Sequence, residues 1–264
     1  MRLLCALSTR GATRFALRLF FQPIPFPIPE REKPFRTESI THELQTAEGK
    51  PFKVFELGEG RQTLILIHGW SGRGSQFFKI AEDLKKQYRL LAIDAPGHGD
   101  HRGKRSHMLE FVDAIETTQQ KLGPVYGAIG HSLGGLALFN AMERGIHFQQ
   151  LAIIGTPSTI PNVIGDFCAQ VKANAKVAKG IIQYLEKRYQ LSVDEVSTVS
   201  LAQKYNPKGL ILHDKDDRDV PVKNASESAA AWSHAKLHLT KGLGHRRILM
   251  DPKVLKLLYD FFKN

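Results

Sequence analysis

Only two cysteines, Cys5 and Cys168, occur in 264 residues. So few, so far apart, they supply neither a disulfide framework nor metal-ligand spacing, and they fit a reducing, cytoplasmic setting. No segment repeats and no low-complexity tract interrupts the chain, which argues against solenoids and propellers. Apolar runs are too interrupted for a membrane span, and arginines break the apolar stretch that a secretory signal needs. Acid is missing from the start of the chain, where the first carboxylate is Glu30. No aromatic-basic motif accompanies the net charge of +11, so nucleic-acid binding would rest on charge alone and is not expected.

What is present is ordinary for a folded domain. Hydrophobic content of 42% and charged content of 24% can build one sizeable core. Composition is silent on oligomeric state. Much of the excess positive charge is local: Arg2, Arg10, Arg14 and Arg18 lie in the acid-free start. Arg10, Arg14 and Arg18 share one helical face, while Ala12, Phe15, Ala16 and Leu19 fall on the other. Three roles fit this stretch: a helix docked on the domain, which is favoured, a peripheral membrane foot through residues 1–21, or an organelle presequence. "PIPFPIP" after it reads as an extended polyproline spacer. Residues 1–39 are therefore set apart from a domain over 40–264.

From about residue 40, short β-rich runs alternate with helix-length segments. "TLILIHG", "YRLLAIDAPGHG", "VYGAIGHS", "LAIIGTP", "GLILHD" and "AKLHLT" are strand-like, with amphipathic stretches between most of them. That alternation predicts an α/β domain with a mostly parallel sheet, whose ligands bind at the carboxyl ends of the strands. "IHGW", "DAPGHG", "GHSLGG", "HDKDDRD" and "GLGH" each follow a predicted strand. Reactive residue types collect where the fold would need them.

"GHSLGG" holds a G-x-S-x-G in which a strand runs into Ser132 and a helical pattern leaves it. Gly130 and Gly134 relieve crowding at such a sharp turn, and the helix start offers free N–H groups to an oxyanion. A serine nucleophile needs a base, and His245 in "KGLGHRRIL" is the histidine best placed among eleven. His131, beside Ser132, reads as packing. The imidazole needs an acid, and "HDKDDRD" crowds four aspartates into six positions. Asp214 lies too close to the strand, which leaves Asp216, Asp217 and Asp219 open on physical grounds.

These motifs resemble the α/β-hydrolase superfamily across about residues 50–262. The likeness rests on "HGW", "D-x-P-G-H-G", the serine elbow, "D-x-x-V-P" and "G-x-G-H", in the chain order serine, acid, histidine. "HGWSGRGSQF" and "GLGHRRIL" look more narrowly like bacterial hydrolases of largely unassigned substrate. The resemblance implies an α/β-hydrolase fold with a small helical lid over 158–208. It implies Asp217 as the acid, and the backbone N–H groups of Trp70 and Leu133 as the oxyanion hole. It also implies a serine hydrolase of the carboxylesterase or thioesterase type acting on a small acyl substrate, with no cofactor.

One departure is Asp100, standing where relatives often carry serine. With His98, His101 and His107 it could hint at a metal, but a serine mechanism needs none and polar loop residues are the expectation. Arg73, Arg246, Arg247 and a lysine stripe (Lys172, Lys176, Lys179) raise the prospect of an anionic substrate, with Arg73 and Arg246 nearest the site. Other functions fit the same residues: a peptidase or amidase, or a hydrolase fold that binds a ligand without turnover. Dehalogenase chemistry is disfavoured, because that branch carries aspartate at the elbow.

Overall fold

A computed structural model describes every residue except Arg102, Lys104 and Asn264. Its centre is an eight-stranded sheet: β1 (Ile40–Gln45), β2 (Pro51–Leu57), β3 (Gln62–Ile67), β4 (Tyr88–Asp94), β5 (Gly127–His131), β6 (Gln150–Ile154), β7 (Lys208–Asp214) and β8 (Ala235–Thr240). The spatial order is β1-β2-β4-β3-β5-β6-β7-β8. β2 runs antiparallel to both of its neighbours, β1 and β4, and every other pairing is parallel. This is the mostly parallel α/β sheet expected from the sequence. β1 was not expected: "ITHELQ" is polar and exposed along most of its length, so it carries no burial signal and exists by pairing with β2.

The helices are α1 (Arg2–Leu7), α2 (Thr9–Phe20), α3 (Lys33–Glu38), α4 (Phe78–Leu84), α5 (Met108–Leu122), α6 (Leu133–Glu143), α7 (Ile160–Gln170), α8 (Ala175–Tyr189), α9 (Thr198–Tyr205), α10 (Lys223–Ala231), α11 (Gly244–Arg247) and α12 (Pro252–Lys263). α5, α6, α9 and α10 cover one face through Phe111, Leu138, Leu201 and Ala225. α3, α4 and α12 cover the other through Phe35, Leu84 and Phe262. Covering both faces is why the inner strands read as unbroken apolar runs.

β3 lies between β4 and β5, so the chain leaves it first to one side and then to the other. That reversal opens a crevice at the carboxyl ends of β3 and β5, where such sheets bind ligands. The loop from His68 and the turn at Ser132 both open there.

The lid expected over 158–208 contains α7, α8 and α9. The N-terminal segment docks on it, the first of its three expected roles. Ala12, Ala16 and Leu17 of α2 pack against Val177, Ile181 and Leu185 of α8 in a third apolar cluster. Ser8 separates α1 from α2 by accepting the Gly11 N–H at 3.1 Å, an N-cap. Residues 22–29 form neither helix nor strand, as a spacer should, but they lie against the loops of the crevice. Among the described residues, no helix is long and apolar enough to cross a membrane.

Candidate active site

Ser132 sits between β5 and α6 with φ 53° and ψ −123°, a left-handed conformation that β-carbon sterics disfavour. The turn is tolerated because its neighbours lack side chains. A β-carbon on Gly130 would lie 2.5 Å from Gly135 Cα, and one on Gly134 would lie 2.2 Å from the Ile67 carbonyl oxygen. Gly69 faces the serine across the crevice, where a β-carbon would come within 2.6 Å of Ser132 Cβ. Gly130 and Gly134 thus serve close approach, as the spacing predicts, and Gly69 of "HGW" does the same.

The acidic cluster is resolved residue by residue. Asp217 is buried, and its Oδ2 lies 2.7 Å from His245 Nδ1. Its Oδ1 accepts the N–H groups of Asp219 and Val220 at 2.9 and 2.8 Å. Burial opposes the charge of Asp217, but the hydrogen bond and electrostatic attraction of His245 and the Val220 N–H outweigh burial and hold the carboxyl below its usual range. Asp214, fully buried, accepts from the Thr240 hydroxyl and the N–H groups of Asp216, Leu243 and Gly244. Asp216 accepts the Gly242 N–H at 2.9 Å. Two of the four aspartates therefore brace the loop that presents His245. Asp219 is exposed at the rim of the crevice.

Because Asp217 is an acceptor, His245 Nδ1 carries the proton and Nε2 is left as the basic nitrogen. Ser132 and His245 border the same cavity, of about 950 Å³, together with Gly69, Trp70 and Leu133. Gly155, at the end of β6 with φ 58°, closes one side of the acid–base pair: a β-carbon there would lie 3.2 Å from His245 Nδ1 and 3.3 Å from Asp217 Oδ2. Sequence reasoning passed over Gly155, although a glycine directly after a buried strand was a usable signal.

Leu133 opens α6, so its N–H belongs to the set that a helix start leaves without an intrahelical partner. The peptide joining Gly69 to Trp70 is oriented from its other end. Gly69 O accepts from His68 Nδ1 at 2.7 Å and from the Gly72 N–H at 2.9 Å. The Ala95 N–H donates to His68 Nε2 at 3.1 Å, so Nδ1 holds the His68 proton. His68 is wholly buried, and desolvation, with His98 nearby, drives its pKa well below the ordinary value, so the ring is neutral. Trp70 both borders the cavity and packs edge-on against His98, with centroids 5.1 Å apart.

The remaining candidates separate. Arg73 does not meet the expectation of a free anion receptor. It is buried, and its Nε and Nη2 donate to Glu32 Oε2 and Oε1 at 2.6 and 2.8 Å, so its charge is compensated within the protein. Arg246 is exposed on the cavity rim, its guanidinium 5.4 Å from the Phe26 ring centroid. Asp100 is paired with Arg36 and Lys53. His98 is buried against Phe111, and desolvation takes its pKa down to about 4. Among the described residues, no group of three or more histidines, cysteines or carboxylates could hold a metal ion.

A family model described as the alpha/beta hydrolase fold matches residues 62–174. A pimeloyl-[acyl-carrier protein] methyl ester esterase of Nitrosomonas europaea is 30% identical over 95 residues, covering 35% of this chain and 36% of that protein. The matched stretch thus spans little more than a third of that relative. Among solved structures, a meta-cleavage product hydrolase of Pseudomonas fluorescens aligns with TM-score 0.63 at 20% identity, over 84% of this chain and 97% of its own. A bacterial membrane phospholipase A aligns with TM-score 0.67 at 16% identity, over 99% of this chain and 96% of its own. At these identities the structural matches speak to fold alone.

Proposed function

We propose that the chain, which has the α/β-hydrolase fold, is a serine hydrolase cleaving an acyl ester or thioester. The observation that carries this is the Asp217–His245 hydrogen bond of 2.7 Å on the cavity that Ser132 also borders. The named ester hydrolase among its relatives supports an ester as the bond cleaved.

In this mechanism Ser132 Oγ attacks the acyl carbonyl carbon while His245 Nε2 takes the hydroxyl proton. The carbonyl π pair moves to oxygen, and the N–H groups of Leu133 and Trp70 stabilise that oxyanion. Collapse expels the alkoxide or thiolate, which receives the proton from His245. Water then attacks the acyl-enzyme, with the same ring as base, and the carboxylic acid leaves. Asp217 keeps the ring in the tautomer with Nε2 free and stabilises the imidazolium.

A fluorophosphonate probe tests the reading by labelling the wild type, Ser132→Ala, Asp217→Asn and Asp219→Asn. Labelling should vanish in Ser132→Ala, slow by roughly three to four orders of magnitude in Asp217→Asn, and stay near wild type in Asp219→Asn. A folded wild-type protein that takes no label would defeat the reading. Equal loss in both aspartate variants would defeat the choice of acid.

A further inference from the structure

The cavity beside Ser132 is large and mostly greasy, and one wall of it is not part of the sheet domain. The arm from Leu19 to Glu32 supplies Phe20, Phe21, Ile24 and Phe26, facing Val163 and Phe167 of α7 and Leu185 of α8. Four tethers hold the arm in place. The Ser106 N–H donates to Phe21 O at 2.9 Å, and the Ile24 N–H donates to Ser71 Oγ at 2.9 Å, on the loop that carries Trp70. Arg246 stacks on Phe26, and the buried Arg73 holds Glu32. Phe20 meets Phe167 edge-on, with centroids 5.1 Å apart, which joins the arm to the lid.

We propose that this cavity receives a long, unbranched acyl chain, and that the N-terminal arm is a built-in wall that sets the chain length accepted. The proposal rests on the serine-hydrolase reading and names its substrate class, replacing the small acyl group expected from the sequence. About 950 Å³ lies near the top of the range for small-molecule sites. At roughly 30 Å³ per water-sized group, a chain of about sixteen carbons occupies half of it, and an acetyl group almost none. An acetyl substrate would leave apolar walls wet. Each methylene laid against them leaves water instead, worth roughly two- to fourfold in kcat/KM.

The test measures kcat/KM for the full chain on p-nitrophenyl esters from acetate to palmitate, beside Val163→Trp, which narrows the cavity between arm and lid. The wild type should prefer a medium or long chain over acetate by roughly a hundredfold or more. Val163→Trp should lower that ratio at least about tenfold. A flat or falling profile in a wild type whose acetate turnover disappears in Ser132→Ala would overturn the chain proposal and spare the hydrolase reading. If no ester is turned over, calorimetry on Ser132→Ala decides. Dodecanoate should bind far more tightly than butanoate and lose that advantage in Ser132→Ala/Val163→Trp; equal, weak binding of the two acids would overturn it.

The exposed side of α1 and α2, which lead into the arm, carries a second inference. Leu3 and Leu7 of α1 are 75% and 76% exposed, Phe15 and Leu19 of α2 lie outward, and Arg2, Arg10, Arg14 and Arg18 are exposed among them. Phe15 and Leu19, expected on the face opposite the arginines, are exposed as the arginines are, and with no acid before Glu30 this surface is apolar and cationic together. We infer that it docks on an anionic lipid bilayer, leucines and phenylalanine entering the headgroup layer and arginines meeting phosphate. Co-sedimentation with phosphatidylglycerol-containing vesicles should exceed that with phosphatidylcholine alone and weaken with salt. Replacing Arg10, Arg14 and Arg18 by glutamine should lower it by roughly a hundredfold, and Leu3→Ser/Leu7→Ser should weaken it as well. No sedimentation with anionic vesicles, or sedimentation indifferent to both variants, would overturn the inference.

Discussion

His131 Nε2 lies 2.8 Å from the main-chain oxygen of His245, and the two rings pack with centroids 4.5 Å apart. A carbonyl only accepts, so His131 Nε2 carries a proton. Burial, with His245 nearby, takes the pKa of His131 down to about 3, so the ring stays neutral and brings no charge beside His245. His131, the residue before Ser132, is thus a positioning residue for the loop that presents His245. In His131→Phe the ring packing survives and the donor is lost, leaving the His245 carbonyl short of a partner at a cost of about 1–3 kcal/mol. kcat should fall roughly tenfold or more with KM little changed, and His131→Gln, which can donate again, should recover part of it. Steady-state kinetics on the best ester checks this; equal loss in both variants would make His131 mere packing.

Gly155 yields a sharper version of the same test. Its φ of 58° and the 3.2 Å from a β-carbon to His245 Nδ1 leave no relaxed place for a methyl group. Gly155→Ala should lose about 1–2 kcal/mol to the left-handed backbone. The imidazole should also shift, lowering kcat by roughly ten- to a hundredfold. Urea unfolding and kcat together check this, since a loss of stability alone would mean that the acid–base pair tolerates the methyl group.

How much of this could be read in advance depended on whether a residue's partner was local. Ser132, with Gly130 and Gly134, announces itself because the strain and its relief lie within five consecutive residues. Physical reasoning left Asp216, Asp217 and Asp219 level, and only resemblance chose among them, because which carboxylate meets His245 depends on a contact across 28 positions. The same blindness misplaced Arg73. Its partner Glu32 sits 41 residues earlier, just after a proline-rich stretch that reads as a mere spacer. β1 escaped notice for another reason: a polar edge strand buries none of its residues fully, so its sequence carries little apolar signal.

The Arg73–Glu32 pair makes its own prediction. Both groups are buried, the pair is bidentate, and Ser75 Oγ adds a third hydrogen bond to Glu32 at 2.7 Å. Glu32→Ala strands a buried guanidinium and should cost about 3–5 kcal/mol. The double variant Glu32→Leu/Arg73→Met should unfold within about 1–2 kcal/mol of wild type, as urea denaturation can measure. If Arg73 instead received substrate, the double variant would lose activity on carboxylate-bearing esters selectively. The ratio of carboxylate-bearing to neutral ester rates should remain near that of the wild type.

Acid stability turns on three buried groups, Asp94, His98 and His131. Asp94 is wholly buried at the end of β4, its Oδ1 accepts the Gly74 N–H at 2.6 Å, and burial raises its pKa to about 6. A carboxyl whose folded pKa lies above its unfolded value binds more protons when folded. Asp94 therefore favours the folded state at low pH, and that contribution is lost as pH rises from about 4 to 6, leaving a cost of about 3 kcal/mol at neutrality. His98 and His131, lowered by burial to about 4 and about 3, act in the opposite sense: the unfolded chain binds their protons first, so stability falls as pH drops below about 6.5. In the wild type the two effects partly cancel. Asp94→Asn removes the carboxyl and keeps an acceptor for Gly74, so it should be more stable at pH 7 and lose stability more steeply between pH 6 and 4. Urea midpoints across that range check the sign. A variant with a shallower acid slope than wild type would show that Asp94 is charged in the folded state and held by a partner other than Gly74.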